Sequence, residues 1–235
     1  MAKSCVIEFF GLPGAGKTTI ATRLISQLRE NGYEVRDRYQ FHDWYRSLSI
    51  SRRFWILFRA VLVLVGSVRS WLPFVRGGSF NSAIRILRLA ARSGAFNDYM
   101  HQDKSDFYIL DQWAAQEVWS IGANTASRGV IQKQCAFSDL IQLAGLAEWF
   151  VHTRLNIDES ANRVAQRQHG DSRFDGRSVC AIRSGLAGLD LLDVEIASLC
   201  KGLASHFCEL DGCRTPEENC GMVMAVLRQI EVGQK

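Results

Sequence analysis

Short apolar runs alternate with longer segments of mixed polarity along the 235-residue chain. A continuous apolar run of ~4–8 residues suits a strand that is buried on both faces of a sheet. Such runs occupy residues 4–10, 106–110, 149–155 and 206–210, and an alternating segment at 33–38 predicts a fifth strand. The strands alternate with segments of helical periodicity. This order predicts an α/β fold of three layers, with a five-stranded parallel sheet covered by helices on both faces.

The helical segments are marked by residues that begin and end helices. Asn31-Gly32 tolerates a left-handed backbone and ends the first helix, while Thr215-Pro216-Glu217-Glu218 is a capping box that opens the last one. Asp158 is predicted to cap a helix that continues to about Gln168. The segment 39–45 is rich in aromatic residues and predicts a loop. The predicted helices are at about 17–30, 113–121, 137–147, 158–168 and 178–203, with two or three more within 46–97.

The segment 46–97 differs from the rest of the chain in its charge. It contains nine arginines and no Asp, Glu or Lys, so its charge of +9 leaves −5 for the remainder of a chain whose net charge is +4. We interpret it as a helical insertion in a single domain. A basic surface over the whole protein, as in many nucleic-acid-binding proteins, is not indicated.

Within this insertion, residues 54–68 form the most hydrophobic stretch of the chain. A helix that is apolar on nearly every face is usually buried, so a core helix is the first expectation. The flanking arginines leave a second possibility, peripheral contact of residues 52–76 with an anionic membrane surface. A membrane span is disfavoured because Arg59 interrupts a stretch already shorter than the ~20 residues that a span needs.

A glycine-rich motif lies between the first strand and the first helix. Residues 11–18 read Gly-Leu-Pro-Gly-Ala-Gly-Lys-Thr, which is the G-x-x-x-x-G-K-[ST] pattern of a phosphate-binding loop. Glycines let successive N–H groups converge on one anion, and the helix N-terminus adds positive potential. The predicted nucleotide-binding residues are Gly11, Pro13, Gly14, Ala15, Gly16, Lys17, Thr18 and Thr19. The motif predicts that the chain binds a nucleoside triphosphate.

Further candidates for the chemistry follow later strands. Lys17 would contact the β- and γ-phosphates, and Thr18 with Asp111 would hold Mg²⁺. Arg163 and Arg167 are four residues apart on the predicted helix and would share a face. With Arg173 they would form a lid at about 163–177 that neutralises charge on the transferred phosphoryl group.

These landmarks resemble the P-loop nucleoside and nucleotide kinases, and among them the thymidylate kinase-like group. The resemblance rests on GLPGAGKTT at residues 11–19, on Asp111-Gln112-Trp113 after a strand, on the arginines after Leu155-Asn156-Ile157-Asp158, and on Leu210-Asp211-Gly212. It covers residues 1–40 and 105–235. It implies the P-loop NTPase fold, ATP and Mg²⁺ as cofactors, and catalytic roles for Lys17, Asp111, Arg163, Arg167 and Arg173.

The chain departs from this group on the acceptor side. Gln112 stands where the group has an arginine, Phe10 stands where it often has an acid, and the segment 46–97 is longer and more apolar. A hydroxyl acceptor would need a carboxylate base, for which Asp37, Asp43 and Asp111 are candidates, whereas a phosphate acceptor would need a clamp such as Arg36 or Arg38. The aromatic residues that could stack on a planar acceptor are Phe41, Trp44, Tyr45 and Trp113.

Three functions remain compatible with these residues. The first is an ATP-dependent phosphotransferase with a nucleotide or another small molecule as acceptor. The second is a nucleotide-dependent switch in which Gln112 orients water. The third, a sulfotransferase, is disfavoured because the complete G-K-T loop includes a metal-binding hydroxyl. Seven cysteines without a C-x-x-C pair favour reduced thiols, so we expect a cytoplasmic protein, with membrane contact left open.

Overall fold

A five-stranded parallel sheet forms the centre of the protein, as the sequence predicts. The computed structural model describes residues 4–68, 71–72, 80–126, 134–144, 147–167, 174 and 176–233. The strands lie in the order β2-β3-β1-β4-β5, so β1 is central and every neighbouring pair is parallel. They are β1 (Cys5–Phe10), β2 (Val35–Asp37), β3 (Phe107–Asp111), β4 (Trp149–Arg154) and β5 (His206–Asp211).

Helices cover both faces of this sheet. Side chains alternate along β1, so Ile7 and Phe9 face one layer while Val6 and Phe10 face the other. The first layer contains α1 and α9, and the second contains most of the remaining helices. The helices are α1 (Lys17–Glu30), α2 (Arg38–Ser47), α3 (Ile50–Gly66), α4 (Phe80–Asp103), α5 (Ala114–Ala126), α6 (Gln134–Ala144), α7 (Ile157–Ala165), α8 (Val179–Leu203) and α9 (Pro216–Gly233).

The sheet order brings the functional segments together. β1 and β3 are neighbours, and the chain leaves them in opposite directions along the sheet. From β1 it passes over β3 to β2, and from β3 it passes over β1 to β4. In open parallel sheets, ligands bind at such a reversal, beyond the carboxyl ends of the strands. Phe9 pairs with Asp111 at this end, so the loop after β1 lies beside the end of β3.

Two predicted boundaries are wrong for reasons of capping. The aromatic segment 39–45 is helical, because Asp37 and Gln40 form a capping box that starts α2 at Arg38. The helix expected from Asp158 to Gln168 is capped instead by Asn156, whose side chain accepts from the Glu159 N–H, and it ends at Ala165. Other predicted strands and helices are confirmed to within a few residues, including the Thr215 capping box before α9.

The expectation that residues 54–68 form a buried core helix is wrong. Only Ile56, Ala60 and Leu64 of α3 are buried, and they pack against α4. The opposite side of α3 exposes large apolar side chains, among them Phe54 at 71% and Trp55 at 57%. Within the described residues, none of the helices is long and apolar enough to cross a membrane.

Candidate active site

The loop between β1 and α1 has the backbone of a phosphate cradle. Gly11 and Gly16 have φ values of 138° and 84°, a region that residues with a β-carbon rarely adopt. A Cβ on Gly11 would lie 2.4 Å from the Thr153 carbonyl oxygen, so β4 holds this turn closely from one side. α1 starts after Gly16 without a side-chain cap and without an acid in its first turn. Its first N–H groups and its dipole therefore favour an anion at this point.

Lys17 lies inside this loop rather than in solvent. Its Nζ donates to the carbonyl oxygens of Gly11 and Leu12 at 2.9 and 2.7 Å, and the side chain is buried. Burial lowers the pKa of Lys17 to about 8; Asp193 and Asp111 oppose this lowering, while the charge of Arg167 adds to it. The ammonium is therefore weakly solvated and close to the place where phosphate groups would bind.

Asp111 joins the end of β3 to the first turn of α1. Its Oδ2 accepts from the Thr18 hydroxyl at 2.9 Å, and its Oδ1 lies 3.4 Å from Arg38 Nε. A carboxylate and a hydroxyl at this distance are hard oxygen donors of the type that Mg²⁺ prefers, with phosphate and water oxygens completing its shell. The described residues contain no group of three or more His, Cys, Asp or Glu side chains with metal-binding geometry. The pair thus fits a metal that is shared with a bound phosphate.

A cavity of about 830 Å³ opens from this loop towards α4 and α5. Two polar atoms in its wall, Trp113 Nε1 and Gln116 Oε1, are buried and lack a hydrogen-bond partner in the described structure. Buried polar atoms are rarely left unpaired, so this donor and acceptor point to a polar ligand. The wall residues are Pro13, Gly14, Gly16, Lys17, Thr18, Thr19, Arg38, Tyr39, His42, Arg85, Arg92, Gln112, Trp113, Gln116, Glu117, Trp119, Ser120, Arg167 and Phe174.

The end of the cavity away from the loop is positively charged. Arg85 and Arg92 of α4 lie 3.5 and 3.4 Å from the carboxylate of Glu117, so one acid is shared by two guanidinium groups. Arg85 also donates to the Ser120 hydroxyl at 2.8 Å. The pKa of His42 is lowered by burial and then by the charges of Arg92, Arg38 and Arg46. A positive field therefore acts on anything bound here.

A buried histidine–aspartate pair lies behind the loop. His152 Nε2 and Asp193 Oδ2 are 2.8 Å apart, and both side chains are almost fully buried. Phe10 of β1 stacks on the imidazole ring, with ring centroids 4.9 Å apart, and so it covers one face of His152. Asp193 is also the main charge that raises the pKa of Lys17 against its burial. This pair ties α8 to β4 beneath the phosphate cradle.

Two of the three predicted lid arginines, Arg163 and Arg167, lie within the described residues, and they differ in their surroundings. Arg167 lines the cavity. Arg163 instead donates to Glu159 at 2.7 Å and to the Gly212 carbonyl oxygen at 2.8 Å. Because α7 ends at Ala165, Arg163 and Arg167 do not share a helix face, and the predicted i,i+4 arrangement is wrong. Arg173 and most of the segment 168–175 lie outside the described residues, so the lid stays a prediction.

The candidates on the acceptor side are also separated. Of the possible bases, Asp37 caps α2 and Asp43 is exposed outside the cavity wall. Of the possible clamps, Arg36 is bound to Asp103 at 2.9 Å, whereas Arg38 lines the cavity and donates to the Asp111 carbonyl oxygen.

Among the four aromatic candidates for stacking, Trp113 lines the cavity. Phe41 is fully buried in a cluster of rings that includes Phe96 and Trp113. Trp44 and Tyr45 are half-buried and pack on the same core. All four side chains therefore serve packing in this structure, and Trp113 also faces the cavity.

Several residues of the site were not identified from the sequence. Arg85 and Arg92 are spaced by seven, which places both on one helix face, and the arginine-rich composition of 46–97 could have identified them. No local sequence pattern identifies Glu117 or Gln116. Glu8 could have been identified, because it is an acid within the apolar run of β1. Its side chain accepts a hydrogen bond from the Ala115 N–H at 2.7 Å and so holds the start of α5.

Comparisons with known proteins agree with this architecture. No family model matches the chain, and no curated protein matches it in sequence. Among solved structures, it is similar to deoxyadenosine kinase from M. mycoides with bound dCTP, with a TM-score of 0.52 and 15% identity. The match covers 95% of this chain and 99% of that chain. At this identity the similarity shows the fold alone.

Proposed function

We propose that this protein is an ATP- and Mg²⁺-dependent phosphotransferase that acts on a small anionic acceptor, with nucleoside monophosphates as the favoured class. The observation that carries the proposal is a single cavity with a phosphate loop at one end and an arginine-lined wall at the other. Two ligands that bind at these ends would meet near Asp111. Phosphoryl transfer mainly requires such positioning and positive charge.

The residues at the donor end each have a part in the proposed reaction. The loop N–H groups and Lys17 would bind the β- and γ-phosphates. Thr18 and Asp111 would hold Mg²⁺, which would supply charge neutralisation on the phosphate oxygens when bound. Arg167 would stabilise negative charge on the transferred group. The charge of Asp193 opposes the effect of burial on Lys17, and with a pKa of about 8 the lysine would be mostly protonated at neutral pH.

The acceptor end favours an anion over a neutral molecule. Arg38, Arg85 and Arg92 line it, and Glu117 is the carboxylate in the described wall that faces them. A hydroxyl acceptor would also need a free base, whereas Asp37 caps a helix and Asp111 is held by Thr18 and Arg38. A phosphate acceptor needs no base. The unpaired Gln116 and Trp113 atoms suit the polar edge of a ring such as a nucleobase.

The similarity to a deoxyadenosine kinase supports nucleoside-type acceptors but does not choose between a nucleoside and its monophosphate. The test is ADP production from ATP and Mg²⁺ with matched pairs of acceptors, each nucleoside against its 5′-monophosphate. We expect the monophosphates to be used with the higher kcat/KM. Arg92→Gln should lower kcat/KM for the monophosphate at least tenfold and leave the KM for ATP unchanged.

Lys17→Ala controls for contaminating kinases, because it should abolish turnover with every acceptor. Faster turnover of nucleosides than of monophosphates would refute the anionic acceptor and retain the kinase. The absence of acceptor-dependent ADP from either class would refute the kinase for these acceptors.

A nucleotide-dependent switch is the second candidate. Gln112 follows Asp111, lines the cavity and is exposed, and its backbone has a left-handed φ of 66°. A glutamine at this place could orient a water molecule for hydrolysis. Slow ADP production that no acceptor accelerates, and that Gln112→Ala reduces, would favour the switch over the kinase.

A further inference from the structure

The outer side of α3 is a continuous apolar surface. Residues at positions 50, 54, 57, 58, 61, 62 and 65 recur at helical spacing and share one side of the helix axis. Each carries a large apolar side chain that is exposed by 40% or more, with Ile50 reaching 85%. We call this set the α3 face. α3 has 17 residues, so the face extends over about 25 Å. Exposed apolar patches of this extent usually mark an interaction site.

Arginines lie at the amino end of the α3 face. Arg46, at the end of α2, and Arg52 and Arg53, in the first turn of α3, are within four residues of Ile50 in the sequence, and none of them forms an ion pair with a carboxylate of the described residues. Arg52 and Arg53 instead lie over the rings of Trp44 and Tyr45, each 5.9 Å from the ring centroid. These guanidinium charges are therefore left without an anionic partner. An apolar face beside unpaired arginines has the composition of a helix that lies in a membrane interface.

The same charges disfavour a second copy of this chain as the partner. Residues 46–97 contain no Asp or Glu, so packing α3 against α3 would offer these arginines no carboxylate from that segment. A bilayer with anionic lipid offers phosphate groups to the arginines and acyl chains to the apolar side chains at once. Of the three arginines in α3, Arg59 is the one that forms an ion pair within the described residues, with Asp98 at 3.1 Å.

We propose that the α3 face docks onto the surface of a membrane that contains anionic lipid. α3 would lie in the plane of the interface without crossing it. Its buried side packs on α4, the helix whose Arg85 and Arg92 line the cavity, so one helix separates the lipid surface from the acceptor wall. This inference does not depend on the proposed phosphotransferase activity, since it concerns binding alone.

The experiment is flotation of the full-length protein with vesicles. We compare phosphatidylcholine vesicles with vesicles that also contain phosphatidylglycerol, at 0.05 and 0.15 M salt. The protein should float with the anionic vesicles at least tenfold more than with phosphatidylcholine alone. Phe58→Glu combined with Leu62→Glu should remove binding, and Arg52→Glu combined with Arg53→Glu should reduce it at least tenfold.

Leu191→Glu on α8 is the matched control, because Leu191 is an exposed leucine on another helix, at 77% against 54% for Leu62. It should leave flotation unchanged, as should Lys17→Ala. All the substituted apolar side chains are exposed, so unfolding is not expected, and circular dichroism checks this. Failure to float with anionic vesicles would overturn the proposal. So would a stable dimer in light scattering that Phe58→Glu with Leu62→Glu dissociates, since the face would then be occupied by a second copy.

Discussion

Two glycines with left-handed backbones differ in the space around them, and this difference predicts very different effects of the same substitution. Gly11 and Gly32 have φ values of 138° and 86°. A Cβ on Gly32 would meet no atom within 4 Å, whereas a Cβ on Gly11 would lie 2.4 Å from the Thr153 carbonyl oxygen. Gly32→Ala therefore measures backbone strain alone, and Gly11→Ala measures strain together with steric overlap.

The expected magnitudes follow from these two terms. A left-handed backbone costs an L-residue about 1–2 kcal/mol, so Gly32→Ala should lower the free energy of unfolding by that amount. Real Cβ contacts are essentially never shorter than 3.0 Å, so Gly11 or β4 must shift by about 0.6 Å to accept an alanine. Overpacking of this kind adds about 1–3 kcal/mol. The total for Gly11→Ala is then about 2–5 kcal/mol.

Urea unfolding monitored by tryptophan fluorescence measures both variants, with the slope against urea concentration as a check that the unfolded state is unchanged. Calorimetry with ATP and Mg²⁺ supplies a second readout, because a displaced Gly11 also displaces the carbonyl oxygen that binds Lys17. Gly32→Ala should bind ATP normally and Gly11→Ala should not. Equal losses of unfolding free energy in the two variants would refute the argument from close approach.

Three further outcomes are expected. Burial raises the pKa of Glu8 from its ordinary value of 4.5 to about 8. The stability that the protonated Glu8 contributes is therefore fully present below pH 4.5 and is lost as the pH rises through 8. Glu8→Gln should flatten the decline of the urea midpoint between these two pH values. Asp111→Asn should weaken Mg²⁺-dependent ATP binding by ~10–100-fold in calorimetry, while binding without Mg²⁺ changes little. Arg167→Ala should lower kcat more than ATP affinity, whereas Arg163→Ala should mainly lower the urea midpoint because it releases Gly212; the reverse pattern would contradict these assignments.

Local sequence rules predicted the framework well where one short segment contains all the necessary information. The buried strands, the glycine-rich loop and the Thr215 capping box are of this kind. The capping box that starts α2, Asp37 with Gln40, is equally local, so the sequence contains the signal for this helix although its aromatic residues favour a loop. The burial of Phe41 among rings from α4 could not be found in this way, since those partners are distant in the chain.

The sequence by itself determined an α/β sheet, a phosphate loop after its first strand and an aspartate at the end of a neighbouring strand, because periodicity and the loop motif depend on adjacent residues. Tertiary structure alone decided which charged groups surround the loop. Arg85 and Arg92 reach Glu117, and Asp193 reaches His152, only because strand order and helix packing bring distant segments together. The exposure of α3 was decided in the same way: its hydrophobic composition predicts burial, but α4 covers one side of the helix only.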